Sequence, residues 1–211
     1  MKLSIRIAIA VAFVSLNAQL GAQGIYVGLR GTGAYPTGAF SDNSSGSSTA
    51  VIDAAKSGFG YGLDAGVQLG LIGVYAGFDH INFDCQSATC NSDGKYKLQG
   101  VTAGVKLQMP GIGIARPFVK GGVTFNELYG GYGTGQSTDL TTDRTPGYEV
   151  GAGLDIGFLG LISITPQARY IGQNFKYKVP GVNTSGASAT QGVNYFTFDL
   201  GLAVHTPFGG M

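Results

Sequence analysis

The stretch GFGYGLDAGVQLG, residues 58–70, alternates without interruption between apolar side chains and small or polar ones. Every odd-numbered position from 59 to 69 is apolar, and the even-numbered positions hold glycine, Asp64 or Gln68. Successive side chains of a strand point to opposite faces of a sheet, so this period of two predicts a β-strand. In a soluble protein the apolar face would pack on a core, whereas in a membrane barrel it would face lipid.

Seven further segments follow the same period. The eight predicted strands are residues 24–35, 58–70, 73–83, 95–108, 116–129, 146–158, 161–175 and 192–208. Short links (71–72, 109–115 and 159–160) alternate with long polar links (36–57, 84–94, 130–145 and 176–191). Short turns on one side, long loops on the other and an even strand count predict an all-β fold, an eight-stranded antiparallel up-and-down transmembrane β-barrel. Its termini would lie in the periplasm, and its four long loops would be extracellular.

The composition of the two faces predicts which one meets lipid. No charged residue falls on the apolar face in the middle of any segment, and the opposite face is largely glycine, which makes a poor solvated surface. Eight strands enclose only enough space for side chains, and glycines suit so narrow an interior. We therefore expect the apolar face to meet lipid and the glycine face to line the lumen.

Nine charged residues share the glycine face, and an isolated buried charge is costly, so they are expected to pair. This predicted lumen ion network consists of Arg30, Asp64, Asp79, Lys106, Lys120, Glu149, Asp155, Arg169 and Asp199. By height along the strands, the expected pairs are Arg30 with Asp64, Lys120 with Asp155, and Arg169 with Asp199. These pairs would plug the barrel.

Aromatic residues recur on the apolar face about nine to eleven positions from the short turns, which predicts a girdle where hydrocarbon gives way to headgroups. Its predicted members are Tyr35, Phe59, Tyr61, Phe125, Tyr148, Tyr170 and Phe198.

The first residues have the layout of a secretory signal peptide. Lys2 and Arg6 precede an apolar run, residues 7–16, that is too short to span a bilayer, and small residues follow up to Ala22. We expect residues 1–22 to be removed and residues 23–211 to form one barrel domain. The formal net charge of the whole chain is only +1, so nucleic acid is not an expected partner.

With these features, the chain resembles the OmpA-like small outer-membrane β-barrel family. The segment ISITPQARY, residues 162–170, and the segment FDLGLAVHTPF, residues 198–208, look like the last two strands of such proteins. The resemblance implies a bacterial outer-membrane location, with outer-membrane lipid, lipopolysaccharide and the barrel-insertion machinery as partners. It also implies that Phe208 is the aromatic insertion signal, although Gly209, Gly210 and Met211 follow it here.

Cys85 and Cys90 lie close together in CQSATC at the start of the second long loop. In an exported protein this spacing predicts a disulfide that staples the loop. No His and no further Cys lies in that loop, so a metal site is not expected, and nothing in the sequence calls for a cofactor.

These features favour a non-enzymatic structural or surface-exposed protein, with possible adhesion or surface recognition through its loops. One alternative is a porin-like channel for small solutes or hydrophobic molecules, as in OmpW-like barrels, since several aromatics face inward: Tyr26, Tyr75, Tyr96, Phe118 and Tyr195. A second alternative is a lipid A-modifying enzyme, for which the chain offers only His80 and His205 as histidine bases.

Overall fold

The computed structural model describes residues 23–41, 55–85, 95–111, 114–131, 139–158, 161–178 and 188–207. The strands are β1 (Gln23–Thr37), β2 (Ala55–Leu69), β3 (Ile72–Cys85), β4 (Lys95–Gln108), β5 (Ala115–Gly131), β6 (Asp139–Thr141), β7 (Thr145–Phe158), β8 (Ile162–Lys178) and β9 (Ser188–Pro207). A short 3-10 turn, Gly38–Phe40, follows β1. Among these residues no helix is long and apolar enough to cross a membrane.

Eight of the strands form a closed antiparallel barrel. They pair in the order β4-β3-β2-β1-β9-β8-β7-β5, and pairing between β4 and β5 closes the ring. The predicted fold is therefore confirmed. Closure leaves no open sheet edge along the wall, which is what a strand structure inside lipid requires.

The strand ends differ from the predicted segments. Residues 139–141 form β6, a short strand paired with the end of β5, whereas the sequence predicts this link to be a loop. Pairing between β8 and β9 continues to Lys178 and Ser188, so these strands extend into the predicted link 176–191. The tight turn between β2 and β3 is Gly70–Leu71, not 71–72, because Gly70 adopts the positive φ of +64° that this two-residue hairpin needs.

The barrel wall is apolar outside and charged inside. Leu200 on β9 keeps 63% of its surface exposed, whereas Glu149 and Arg169 keep 1% and 2%. An exposed apolar band this wide would be incompatible with water, so it forms the lipid-facing surface of a membrane barrel. On β8 the band runs from Ile162 to Tyr170, roughly the nine to eleven residues that a tilted strand needs to cross.

The predicted girdle residues all lie on the outer face, and several of them touch. The ring centroids of Tyr35 and Phe198 are 5.9 Å apart, and those of Tyr148 and Tyr170 are 6.1 Å apart. Phe196, which the prediction omitted, joins them with its centroid 4.8 Å from that of Tyr170. These contacts mark one rim of the apolar band.

Beyond this girdle, on the side of the long links, the two faces exchange character. The outward residues there are polar, and include His80, Asn82, Lys97, Gln99, Glu127, Asn174 and Lys176. The inward residues form an apolar cap, defined as Ala34, Phe40, Ala55, Ile81, Phe83, Tyr96, Leu98, Leu128, Ile171, Phe175, Val193 and Tyr195. Phe40 of the 3-10 turn completes the cap against Phe83, at 5.1 Å between ring centroids. The barrel thus continues past the membrane as a water-exposed sheet around an apolar core.

This exchange of faces predicts opposite responses to one substitution on adjacent strands. Leu63→Arg places a charge on the lipid face and should lower the free energy of unfolding by about 2–4 kcal/mol. Asn82→Arg places the same side chain outward but beyond the girdle, where it remains in water, and should change stability by no more than about 0.5 kcal/mol. Urea unfolding in phospholipid vesicles measures both, and equal losses would contradict the assigned boundary.

Candidate functional site

The centre of the lumen is a buried ion network around Arg169. Its guanidinium donates from Nε to Asp199 Oδ2 at 2.6 Å, and from Nη1 to Glu149 Oε2 at 2.8 Å and Asp79 Oδ2 at 3.0 Å. The four residues come from β8, its two neighbours β9 and β7, and β3 on the opposite side of the barrel, so one cation connects the two sides of the wall. All four side chains point into the lumen because each occupies an inward position in the two-residue alternation of its strand.

Asp79 links Arg169 to a second arginine. Arg30 donates to Asp79 Oδ1 at 2.7 Å and also pairs with Asp64. On the other side of Arg169, Lys120 lies 3.1 Å from Glu149 Oε1, and the Tyr75 hydroxyl donates to the same oxygen at 2.8 Å. Each carboxylate of the network therefore accepts at least one charge-assisted hydrogen bond, a kind that is about twice as strong as a neutral one.

Glycines make room for these side chains. A Cβ at position 62 would lie 2.7 Å from the guanidinium of Arg30, and a Cβ at position 77 would lie 2.8 Å from Asp64 Oδ1. Larger residues at Gly62 or Gly77 would push the charged groups aside. The glycines of the inner face thus leave the space that the side chains of the ion network occupy.

A second cluster lies nearer the short turns and centres on Asp155. Lys106 and Gln108 donate to its Oδ2 at 2.7 and 3.0 Å, while Thr165 and Ser163 donate to its Oδ1 at 2.9 and 3.2 Å. The cluster adds a second layer of paired polar groups across the lumen.

The nine predicted lumen residues all point inward, but the structure corrects one of the three pairs. Arg30 contacts Asp64, and Arg169 contacts Asp199, as expected. Lys120 pairs with Glu149 instead of Asp155, whose cation is Lys106. Lys120 lies opposite Gly151 on β7, and Glu149 is nearer to that point along the strand than Asp155 is.

The space left between the two clusters is small. A cavity of about 40 Å³ lies among Tyr26, Arg30, Asp64, Lys106 and Asp155. Within the described chain, Arg30 Nε and Asp64 Oδ1 have no hydrogen-bond partner. A cavity of this size and polarity suits one or a few water molecules and is too small for a larger solute.

The five inward aromatics split between two layers of this interior. Tyr26, Tyr75 and Phe118 lie among the charged clusters, where Lys106 Nζ sits 4.2 Å from the ring centroid of Phe118. Tyr96 and Tyr195 belong to the apolar cap instead. Within the described residues these five aromatics fill space, and they line no open apolar passage there.

Ser163 and His205 form a contact that the sequence analysis missed, because only the β8–β9 register brings them together. Ser163 Oγ lies 2.7 Å from His205 Nε2 and 3.2 Å from Asp155 Oδ1. The ionised Asp155 only accepts, so Ser163 donates its hydroxyl hydrogen to Asp155 Oδ1 and accepts a hydrogen bond from His205 Nε2–H. A nucleophilic serine needs the reverse arrangement, with the histidine accepting.

Two further features bear on catalysis and metal binding. Ser163 is 3% exposed, and His80 lies on the outer face, stacked on Tyr61 at 5.2 Å between centroids. Among the described residues, no group of three or more His, Cys, Asp or Glu is arranged to hold a metal ion.

Comparison with known proteins supports the architecture. Neisserial surface protein A superposes with a TM-score of 0.59 at 15% identity, covering 85% of this chain and 96% of that one. The outer membrane protein OprG from Pseudomonas aeruginosa superposes with 0.56 at 11% identity, covering 90% and 98%. The outer membrane protein AlkL, determined in lipid bilayers, gives 0.55 at 10% identity, covering 92% and 95%. No protein-family model and no curated protein sequence matches the chain.

The chain has the fold of the small outer-membrane β-barrels. At these identities the likeness concerns the fold alone. A functional proposal for this chain therefore rests on the residues of its own lumen and surface.

Some predicted features fall outside the described residues. They are the signal peptide, residues 1–22; Cys90; and the C-terminal signal Phe208 with the residues after it. Of Cys85 only the main chain, at the end of β3, is described. The disulfide, the cleavage and the insertion signal stay predictions.

Proposed function

We propose that the protein is a non-enzymatic outer-membrane barrel that acts as a closed scaffold and presents its long loops at the cell surface. The observation that carries this proposal is the double closure of the lumen, by the ion network around Arg169 and by the apolar cap. A lumen filled in this way stabilises the barrel and leaves no route for a solute. The outer surface and the loops remain as the parts that can act on other molecules.

The proposal includes an orientation and a set of partners. The short turns and both termini face the periplasm, and the apolar cap with the long links faces outward, as in transmembrane barrels generally. The expected partners are outer-membrane lipid, lipopolysaccharide, the insertion machinery and a surface ligand of the loops. Nucleic acid is not among them.

A channel and an enzyme are the competing functions. A channel for hydrophobic molecules would need an apolar passage, whereas the lumen here is crossed by paired charges. A lipid A-modifying enzyme would need an accessible base and nucleophile, whereas Ser163 is buried and its proton is directed to Asp155. Both features favour the scaffold.

Planar-bilayer recordings test the closed lumen. The purified barrel should show no large steady conductance, and Phe40→Ala, which opens only the cap, should stay closed because the ion network is intact. Phe40→Ala should still lower the free energy of unfolding by about 3–5 kcal/mol. A large, stable conductance of the unaltered protein would contradict the scaffold and favour the channel.

The surface role predicts a separation of two phenotypes in a deletion strain. The intact barrel and a barrel with shortened long links should both restore envelope integrity, because the wall is unchanged in both. Sensitivity to detergent measures envelope integrity. Only the intact barrel should restore attachment to host cells or matrix. Equal attachment by both would show that the loops carry no recognition.

A further inference from the structure

The buried polar side-chain atoms that lack a hydrogen-bond partner are concentrated on one side of the lumen. In the described part of the chain they are Arg30 Nε, Thr32 Oγ1, Asp64 Oδ1 and Gln68 Oε1. All four belong to β1 or β2, which pair with each other. A buried donor or acceptor costs free energy when it is left unpaired, so this side of the lumen needs a partner that the described residues do not supply.

Two of these unpaired side chains border one cavity together with two further polar groups. Arg30, Asp64, Tyr26 and Gln167 all line the cavity of about 40 Å³ between the two polar clusters of the lumen. No hydrogen bond joins the Tyr26 hydroxyl or the Gln167 amide to another described residue. The set therefore combines a donor, Arg30 Nε–H, and an acceptor, Asp64 Oδ1, with two groups that can do both.

The size and the charges of the cavity indicate which ligand it takes. One water molecule needs roughly 10–15 Å³ of such space, so the cavity has room for about three. The wall carries three cations and two carboxylates, which are Arg30, Lys106, Lys120, Asp64 and Asp155. Each of these carboxylates already pairs with a cation, so the cavity favours a neutral molecule over an ion. Because both a donor and an acceptor are unpaired, that molecule has to donate and accept, as water does.

We propose that this cavity binds water, and that one molecule accepts a hydrogen bond from Arg30 Nε–H and donates one to Asp64 Oδ1. Neighbouring molecules bond to the Gln167 amide and the Tyr26 hydroxyl. A buried water usually makes about three hydrogen bonds, which these four groups can provide. The Arg30 side chain is 2% exposed, so solvent outside the cavity does not supply its partner.

The bound water also joins the two polar clusters of the lumen. The cavity wall contains Arg30 of the network around Arg169 and Lys106 of the cluster around Asp155. Among the described residues, no hydrogen bond or ion pair runs directly from one cluster to the other. The lumen is then filled by side chains and water together. This inference goes beyond the closed scaffold of the proposed function and does not depend on which way the barrel is oriented.

NMR of the barrel in lipid nanodiscs tests the site at two buried arginines. Arg30 Nε–H should show a rotating-frame cross-peak to water with the sign of a dipolar contact. Arg169 is the matched control, because its side chain is also buried and its Nε donates to Asp199 Oδ2 at 2.6 Å. Arg169 Nε–H should therefore show no such cross-peak. A missing cross-peak at Arg30, or equal cross-peaks at both arginines, would overturn the water site.

Two substitutions of equal volume at Ala203 test whether the cavity is hydrated. Ala203 is buried and lines the cavity. Val and Thr displace the same volume there, but only the Thr hydroxyl can replace hydrogen bonds of the displaced water. Ala203→Val should lower the urea midpoint of unfolding by on the order of 0.5 M, and Ala203→Thr clearly less. Equal midpoints, or a higher midpoint for Ala203→Val, would indicate a dry cavity and overturn the inference.

Exchange of salts distinguishes water from a bound ion. At constant ionic strength, replacing sodium by choline, or chloride by gluconate, should leave both the unfolding midpoint and the Arg30 cross-peak unchanged. A dependence on the cation that is lost in Ala203→Val would mean that a cation binds at Asp64. A dependence on the anion that is lost in the same variant would mean that an anion binds at Arg30, and either result would overturn the assignment of water.

Discussion

A buried charge must find a partner, because the interior of an eight-stranded barrel has too little room for the water that would solvate it. Arg169 meets this constraint with carboxylates from three other strands, and Asp79 passes the connection on to Arg30. The glycine-rich inner face follows from the same constraint, because Gly62 and Gly77 leave the space that Arg30 and Asp64 occupy. The apolar outer face follows as well, since the interior is already filled and the remaining hydrophobic side chains can only meet lipid.

Much of this architecture could be predicted from the alternation of residues. The alternation in GFGYGLDAGVQLG is unambiguous, so the sequence alone places Asp64 in the interior. Ion-pair partners are harder to predict than inward positions, because they depend on the stagger between strands. The sequence therefore predicts a pair of Lys120 with Asp155, whereas Glu149 is nearer in the structure. The contact between Ser163 and His205 needs the register of β8 and β9, which parity alone does not contain.

The apolar cap shows a second limit of the pattern. Ile81 and Phe83 share the inward parity of Asp79, and the sequence does contain that information. The cap is not predicted by one rule, polar inside and apolar outside, because that rule holds only for the part of each strand that lies in lipid. The exchange of faces beyond the girdle is visible in the outward polar residues His80, Asn82 and Lys97, which mark where lipid ends and water begins.

The proposed function follows from the filled lumen, which leaves the outer surface and the long links as the parts that could contact other molecules. The long links join strand ends that lie beyond the girdle, on the side where the outward residues are polar. Proteins that present recognition surfaces usually carry them on variable loops that a rigid scaffold holds in place. In the proposed function the ion network would act indirectly, by joining the strands of the wall through buried ion pairs.

The most direct test compares the free energy of unfolding of Asp79→Asn with that of Asp64→Asn in phospholipid vesicles. Asp79 is buried and pairs with both arginines, whereas Asp64 pairs with Arg30 alone and is more exposed. Asp79→Asn should cost about 3–5 kcal/mol, the range for breaking a buried pair, and Asp64→Asn clearly less. Equal small losses at both positions would show that the paired charges do not hold the barrel together.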